Sequence, residues 1–173
     1  MVTALYENDH LKEATKIARQ ILFDLAHSIG KQDAREFHQK LNLTNPMEKL
    51  SVGPIHFSHT GWAFVDISPE SNPSPDDNFF LVYDHIYSFE AEAWIKENKK
   101  SDFCVCVMNA GYSSGWCEES FGVPLVASEL ICKAKGDEAC RFVMAPPSRI
   151  EDHITKELAH YKPEQRATNR QPE

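Results

Sequence analysis

The first chemical signal in this chain is a glutamate and two cysteines at a telling spacing, Glu129-x-x-Cys132-x7-Cys140. Residues 124–134 alternate as a strand, Lys135-Gly136-Asp137 turns, and 139–144 pairs back. A Gly-Asp apex suits such a turn, which needs positive φ. Across that hairpin the thiolates of Cys132 and Cys140 can face one point. Zinc takes four ligands in a tetrahedron, drawn from Cys, His and carboxylate. The hairpin would supply part of that shell, and Cys104, Cys106 or Cys117 could complete it. Two other readings stand beside zinc. Five reduced cysteines can simply fill a core, as buried Cys does well. A reactive thiol would need a cation or a helix N-terminus to lower its pKa. Cys104-Val-Cys106 is one residue short of the C-x-x-C redox spacing, and no base is visibly placed beside it.

Signals for an enzyme are weak. No G-x-G-x-x-G follows a strand, so a nicotinamide or flavin fingerprint is absent from the sequence. Glu118-Glu119 reads as a solvated helix face rather than an acid/base couple.

The elements that must hold these residues follow from periodicity. Leu11, Ala14, Ala18, Ile21, Leu22 and Leu25 mark an amphipathic helix over 9–27, with Gly30 as its stop. A second helix runs over 31–41 with Ala34, Phe37 and Leu41 on one face, broken by Asn42 to Pro46. Aromatic and β-branched residues with Gly-Pro punctuation predict strand, turn, strand over 52–67. Residues 69–78 form a proline-rich loop, and 79–85 a buried strand. Ser88 caps a helix over 89–99 with Phe89, Ala93 and Trp94 inward. A helix over 107–121 ends at Gly122, and Ser148 caps a last helix to 160. The order of helices, strands, helix, hairpin and helix predicts an α+β fold with a mostly antiparallel sheet. Residues 1–50 form a helical region suited to dimerisation, 51–160 the core of the same domain, and 161–173 a linker or disordered tail.

The chain has 173 residues, one domain's worth, and no apolar run long enough to span a bilayer. With 18 basic and 26 acidic residues the net charge is −8, which makes nucleic acid a poor direct partner. The opening residues carry no signal peptide, so the expected compartment is the cytoplasm and the five cysteines are expected to be reduced.

Residues 111–147 carry a more specific pattern: Gly111-Tyr112-Ser113-Ser114-Gly115-Trp116, Gly122, Glu129-x-x-Cys132, Gly136-Asp137 and Cys140-x-Phe142. This set resembles the 4-vinyl reductase domain. More closely, it resembles the N-terminal sensor domain of XylR/DmpR-type activators of aromatic catabolism. VGPIHFSHTGWAFV (52–65) and SFEAEAW (88–94) also resemble segments of that sensor family, and the likeness runs over about 15–155. The resemblance implies an α+β fold related to the NO-signalling and Golgi-transport ligand-binding fold, closed by a C-terminal zinc-binding hairpin.

It further implies a structural zinc held by Cys106, Glu129, Cys132 and Cys140, leaving Cys104 and Cys117 as extra thiols. A small hydrophobic or aromatic ligand is implied in a buried pocket, with Phe57, Trp62, Tyr83, His85, Phe89, Tyr112 and Trp116 as its candidates. Phe64, Phe80 and Trp94 add to the aromatic stock. Phenol-sensing relatives hold the hydroxyl with a His and a Trp, and those positions fall here at Phe57 and His85. Phenol itself is therefore in question, and His56, His59 or His85 could supply a polar contact. The implied role is a non-enzymatic sensor that forms a homodimer and regulates an attached output domain. An accessory of the vinyl-reductase type in tetrapyrrole metabolism is the alternative.

Overall fold

A computed structural model describes residues 2–161, with side chains from Lys12 onward. Of the tail placed at 161–173, residues 162–173 lie outside the described residues. Four antiparallel strands form one sheet in the order β1-β2-β4-β3. They are β1 (Ala63–Ile67), β2 (Leu81–Ser88), β3 (Val126–Ile131) and β4 (Cys140–Ala145). Around them lie α1 (Val2–Lys40), α2 (Pro46–His59), α3 (Phe89–Lys96), α4 (Val107–Phe121) and α5 (Ile150–His160). The expected α+β class and antiparallel sheet are observed.

The first correction is α1. Gly30 does not stop it; one helix of 39 residues replaces the two expected. Its buried face is Ala26, Gly30, Ala34 and His38, seated on α4. A Cβ on Gly30 would lie 2.2 Å from the Tyr112 carbonyl oxygen. On α4, Gly111 and Gly115 would meet the Phe23 and His27 carbonyl oxygens at 2.4 and 2.1 Å. Gly30 is therefore there for close helix approach rather than for termination. Ion pairs rim the crossing: Lys31 with Glu118 at 2.6 Å and Arg35 with Glu119 at 2.9 Å. The two glutamates read as a solvated face thus bind α1.

The second correction is 52–59, which is helix and not strand. Asn45 caps α2 by accepting from the Met47 and Glu48 amides, and Pro46 sits in its first turn. Gly53 leaves room for Trp116, whose Nε1 would be 2.7 Å from a Cβ there. The boundary drawn between residues 50 and 51 falls inside this helix.

Smaller shifts follow. Ala91, not Ala93, is the buried alanine of α3, while Ser88 caps it as expected. A 3-10 turn at Lys133–Lys135 precedes Gly136, whose φ is 91°. Arg149 rather than Ser148 occupies the cap of α5. Gly122 ends α4 at φ 73°, as the sequence predicts.

The sheet has two covered faces. Its inner face packs under α2 and α4. Val143 and Ala145 point the other way and meet Ile150 of α5. Among the described residues no helix is long and apolar enough to cross a membrane.

Candidate metal centre and ligand cavity

Strand register sorts the inner face into rows. His85 pairs with Cys140, Tyr83 with Phe142, and Leu81 with Met144 across β2 and β4. On the other side Glu129 faces Phe142 and Ala127 faces Met144. Paired residues project to the same side of a sheet. Cysteine and glutamate therefore hold one end of this face, rings the middle, and aliphatic side chains the far end.

At the first end Cys106, Glu129, Cys132 and Cys140 converge, with their ligand atoms within 4.8 Å of one another. The Sγ atoms of Cys106 and Cys140 are 3.8 Å apart, and those of Cys140 and Cys132 4.0 Å. Two thiolates on a tetrahedral zinc, each about 2.3 Å from it, stand about 3.8 Å apart. Three elements contribute. Cys106 caps the N-terminus of α4, Cys132 follows β3, and Cys140 opens β4. The register shifts between Glu129 and Ile131, an irregularity that re-aims a side chain locally.

The donor set fits a cation. Glu129 Oε2 accepts from the Cys106 amide at 2.8 Å, while Oε1 is buried without a hydrogen-bond partner. Burial, then the neighbouring Cys132 charge, pushes the Glu129 carboxyl up to about 8. Hydrogen bonds from Cys106 and Cys140 hold the Cys132 thiol far below its ordinary range. Buried acids crowded this way disfavour one another's ionisation, and a divalent cation removes that conflict. Glu90 supports the site from α3, accepting from the Met108 and Asn109 amides at 3.0 and 2.8 Å. Ser88 Oγ lies 3.1 Å from Cys106 Sγ. Of the two extra thiols, Cys104 is half-buried outside the cluster and Cys117 lies elsewhere on α4.

At the far end a cavity opens between the sheet and the helices. Val65, Ile67, Leu81, Tyr83 and Met144 form its floor. Leu50, Gly53, Pro54 and Phe57 of α2 and Tyr112, Ser113, Trp116 and Cys117 of α4 form its roof. Its free volume is about 40 Å³. No charged side chain lines it, and its wall is almost wholly apolar.

All seven aromatic candidates join one chain of ring contacts. Phe57 stacks on Tyr112 at 4.8 Å and on Trp62 at 5.7 Å, and Trp62 meets Phe89 at 5.3 Å. Tyr83 and Phe57 both touch His85, at 5.4 and 5.7 Å, and Tyr112 stacks on Trp116 at 6.4 Å. Four of them, Phe57, Tyr83, Tyr112 and Trp116, line the cavity; Trp62, His85 and Phe89 lie behind that wall. Phe64 is 51% exposed, Phe80 stacks on His153 of α5, and Trp94 meets Phe103, so these three belong elsewhere. The sequence reading missed the aliphatic floor and Ser113. Alternation along β1 and β2 was the signal that could have found the floor.

His85 is fully buried, with neither ring nitrogen hydrogen-bonded, and burial lowers its pKa to about 3. It is a neutral imidazole held between the metal cluster and the cavity. His56 stacks on Trp116 at 5.3 Å, and His59 is exposed.

No family model matches this chain. It is 30% identical over 127 residues to the phenol regulator MopR of Acinetobacter guillouiae, a match covering 73% of this chain. It spans only 22% of that regulator's length. In fold it is similar to the phenol-responsive sensory domain of the transcription activator PoxR, solved with phenol. The TM-score is 0.69 at 23% identity, covering 84% of this chain and 72% of that one. A subunit 3 of the trafficking protein particle complex from Naegleria fowleri, covalently bound to palmitic acid, shares the fold at a TM-score of 0.50. Its identity is 12%, over 83% of this chain and 92% of that one.

Proposed function

From the kinship of this chain with the XylR/DmpR-type sensor domains, we propose that it is a sensory module for a small, neutral aromatic or hydrophobic ligand. The carrying observation is the apolar cavity beneath Phe57, Tyr112 and Trp116. Ligand pockets are mostly apolar concavities with a few placed polar groups. Phe57, Tyr83, Tyr112 and Trp116 contact the ligand, while Trp62, His85 and Phe89 hold those rings in place. In the full-length protein the module regulates an attached output domain in transcription control, in the cytoplasm. The sensor binds and does not catalyse. The phenol regulator among the relatives favours the sensor over the vinyl-reductase accessory.

Zinc at Cys106, Glu129, Cys132 and Cys140 is structural in this reading. Protein atoms fill all four positions, so no place is left for a reactive water. It ties the hairpin of β3 and β4 to the start of α4.

The module pairs with a second copy through α1. Ile17, Ile21 and Leu25 recur every four residues and are 53, 61 and 52% exposed. The aliphatic face read in the sequence is thus not the one seated on α4. Ile21→Glu should convert a dimer to a monomer by light scattering without altering ligand binding; a monomeric wild type would remove the pairing.

The ligand itself is tested by thermal shift. Binding to the native state alone raises stability by RT ln(1 + [L]/Kd), about 2.7 kcal/mol at a hundredfold excess over Kd. That corresponds to a rise of roughly 5–10 °C for a chain of this size. No shift across phenols, alkylbenzenes and fatty acids would overturn the reading.

A further inference from the structure

We propose that the Tyr83–Ser113 hydroxyl pair is the polar reader of the cavity, and that it selects a neutral aromatic ligand carrying a hydrogen-bond donor. This rests on the sensor reading above and names the ligand chemistry that the site prefers. It also moves the reader away from Phe57 and His85, where relatives direct attention. Phe57 has no polar atom, and His85 is not part of the cavity wall.

The strong side-chain donors on the wall are already committed. The Tyr112 hydroxyl donates to Asp33 Oδ2 at 2.8 Å. Trp116 Nε1 donates to the Lys49 carbonyl at 3.0 Å. Ser113 Oγ donates to the Asn109 carbonyl, and the Tyr83 hydroxyl donates to Ser113 Oγ at 3.1 Å. Pro54 has no amide proton, so the Leu50 carbonyl beside it lacks its usual helical donor. Every strong side-chain donor on the wall is thus engaged within the protein. A hydroxyl oxygen accepts through two lone pairs, so Tyr83 and Ser113 still accept. A phenolic O–H or an aniline N–H can donate into the pair without breaking anything. An ether or ketone of the same size can accept only if Tyr83 gives up Ser113, which leaves a buried acceptor short of its partner. Charged ligands are excluded because no counter-charge lines the wall.

The test is calorimetric titration of the metal-loaded chain with phenol, anisole and toluene. Phenol is expected to bind about tenfold more tightly than anisole, one hydrogen bond's worth. In Tyr83→Phe/Ser113→Ala that ratio should fall to about one, while saturable toluene binding shows that the cavity still forms. Ser113→Ala alone frees the Tyr83 proton for an ether oxygen, so the preference for phenol over anisole should narrow, whereas a purely structural role would weaken both alike. Equal binding of phenol and anisole by the wild type overturns the proposal and leaves the sensor reading standing. So does a preference that survives the double substitution and disappears in His85→Phe. No binding of any of the three overturns the proposal, and the thermal-shift panel with fatty acids then decides the sensor reading.

Discussion

Cys132→Ser is expected to lose the bound metal and to lower the melting temperature by about 10 °C or more. The metal assigned to this cluster links α4, the end of β3 and the start of β4. Losing one ligand leaves two buried thiols and a buried carboxylate without a cation. Breaking such a set by removing one member costs about 3–5 kcal/mol, and for a chain of this size each kcal/mol is worth about 2–4 °C. A chelator should reproduce the loss in the wild type and change nothing further in the variant. Elemental analysis checks the premise: about one zinc per chain in the wild type and much less in Cys132→Ser. Full occupancy in the variant would remove Cys132 from the ligand set. The consequence also reaches the cavity. Cys140 pairs with His85, and Glu129 with Phe142, so the metal-binding rows sit directly beside the aromatic rows. Loosening one end of this face should weaken aromatic binding at the other.

Gly115→Ala is the second large effect. Its new Cβ would lie 2.1 Å from the His27 carbonyl oxygen, and that neighbour is helix backbone that cannot swing aside. The helices must separate, which opens the seat of Ala26 and strains the Lys31–Glu118 pair. Overpacking typically costs 1–3 kcal/mol and more where backbone is the obstacle, so about 3 kcal/mol or greater is expected. Chemical denaturation measures it. Gly61→Ala is the control: its φ is +79° with nothing within 4 Å, and about 1–2 kcal/mol of backbone strain is the whole expected cost. Equal costs at the two sites would mean that close helix approach does not stabilise this fold.

How much of this was legible in the sequence depended on how local each signal was. Gly122 announced the end of α4 because a left-handed cap is a local event. The Glu129, Cys132 and Cys140 spacing announced a cluster because a hairpin brings near neighbours together. Spacing could not choose among Cys104, Cys106 and Cys117, since the choice depends on where α4 begins relative to the sheet. Gly30 misled for a long-range reason: a glycine that stops a helix and one that lets another helix approach look alike until the partner is seen. Residues 52–59 misled because Val52, Ile55 and Phe57 have strand propensity, while the Asn45–Pro46 cap and the seat for Trp116 favour helix. The aromatic set comes together, with Phe57, Tyr83, Tyr112 and Trp116 on the cavity wall and Trp62, His85 and Phe89 packed behind it. Exposure of the Ile17, Ile21 and Leu25 stripe could not be read either, because periodicity shows that a face is apolar but not which surface covers it.

The central claim is that a small aromatic molecule occupies the cavity between the sheet and helices α2 and α4. The most direct measurement is calorimetric titration of the metal-loaded chain with a one-ring aromatic at several temperatures, beside Met144→Trp, which fills the cavity from the sheet side. Saturable binding of one ligand per chain is predicted, with a negative heat-capacity change from apolar burial, and no saturable heat in the filled variant. Binding that persists unchanged once the cavity is filled, or no saturable binding of any one-ring aromatic by the wild type, would contradict it.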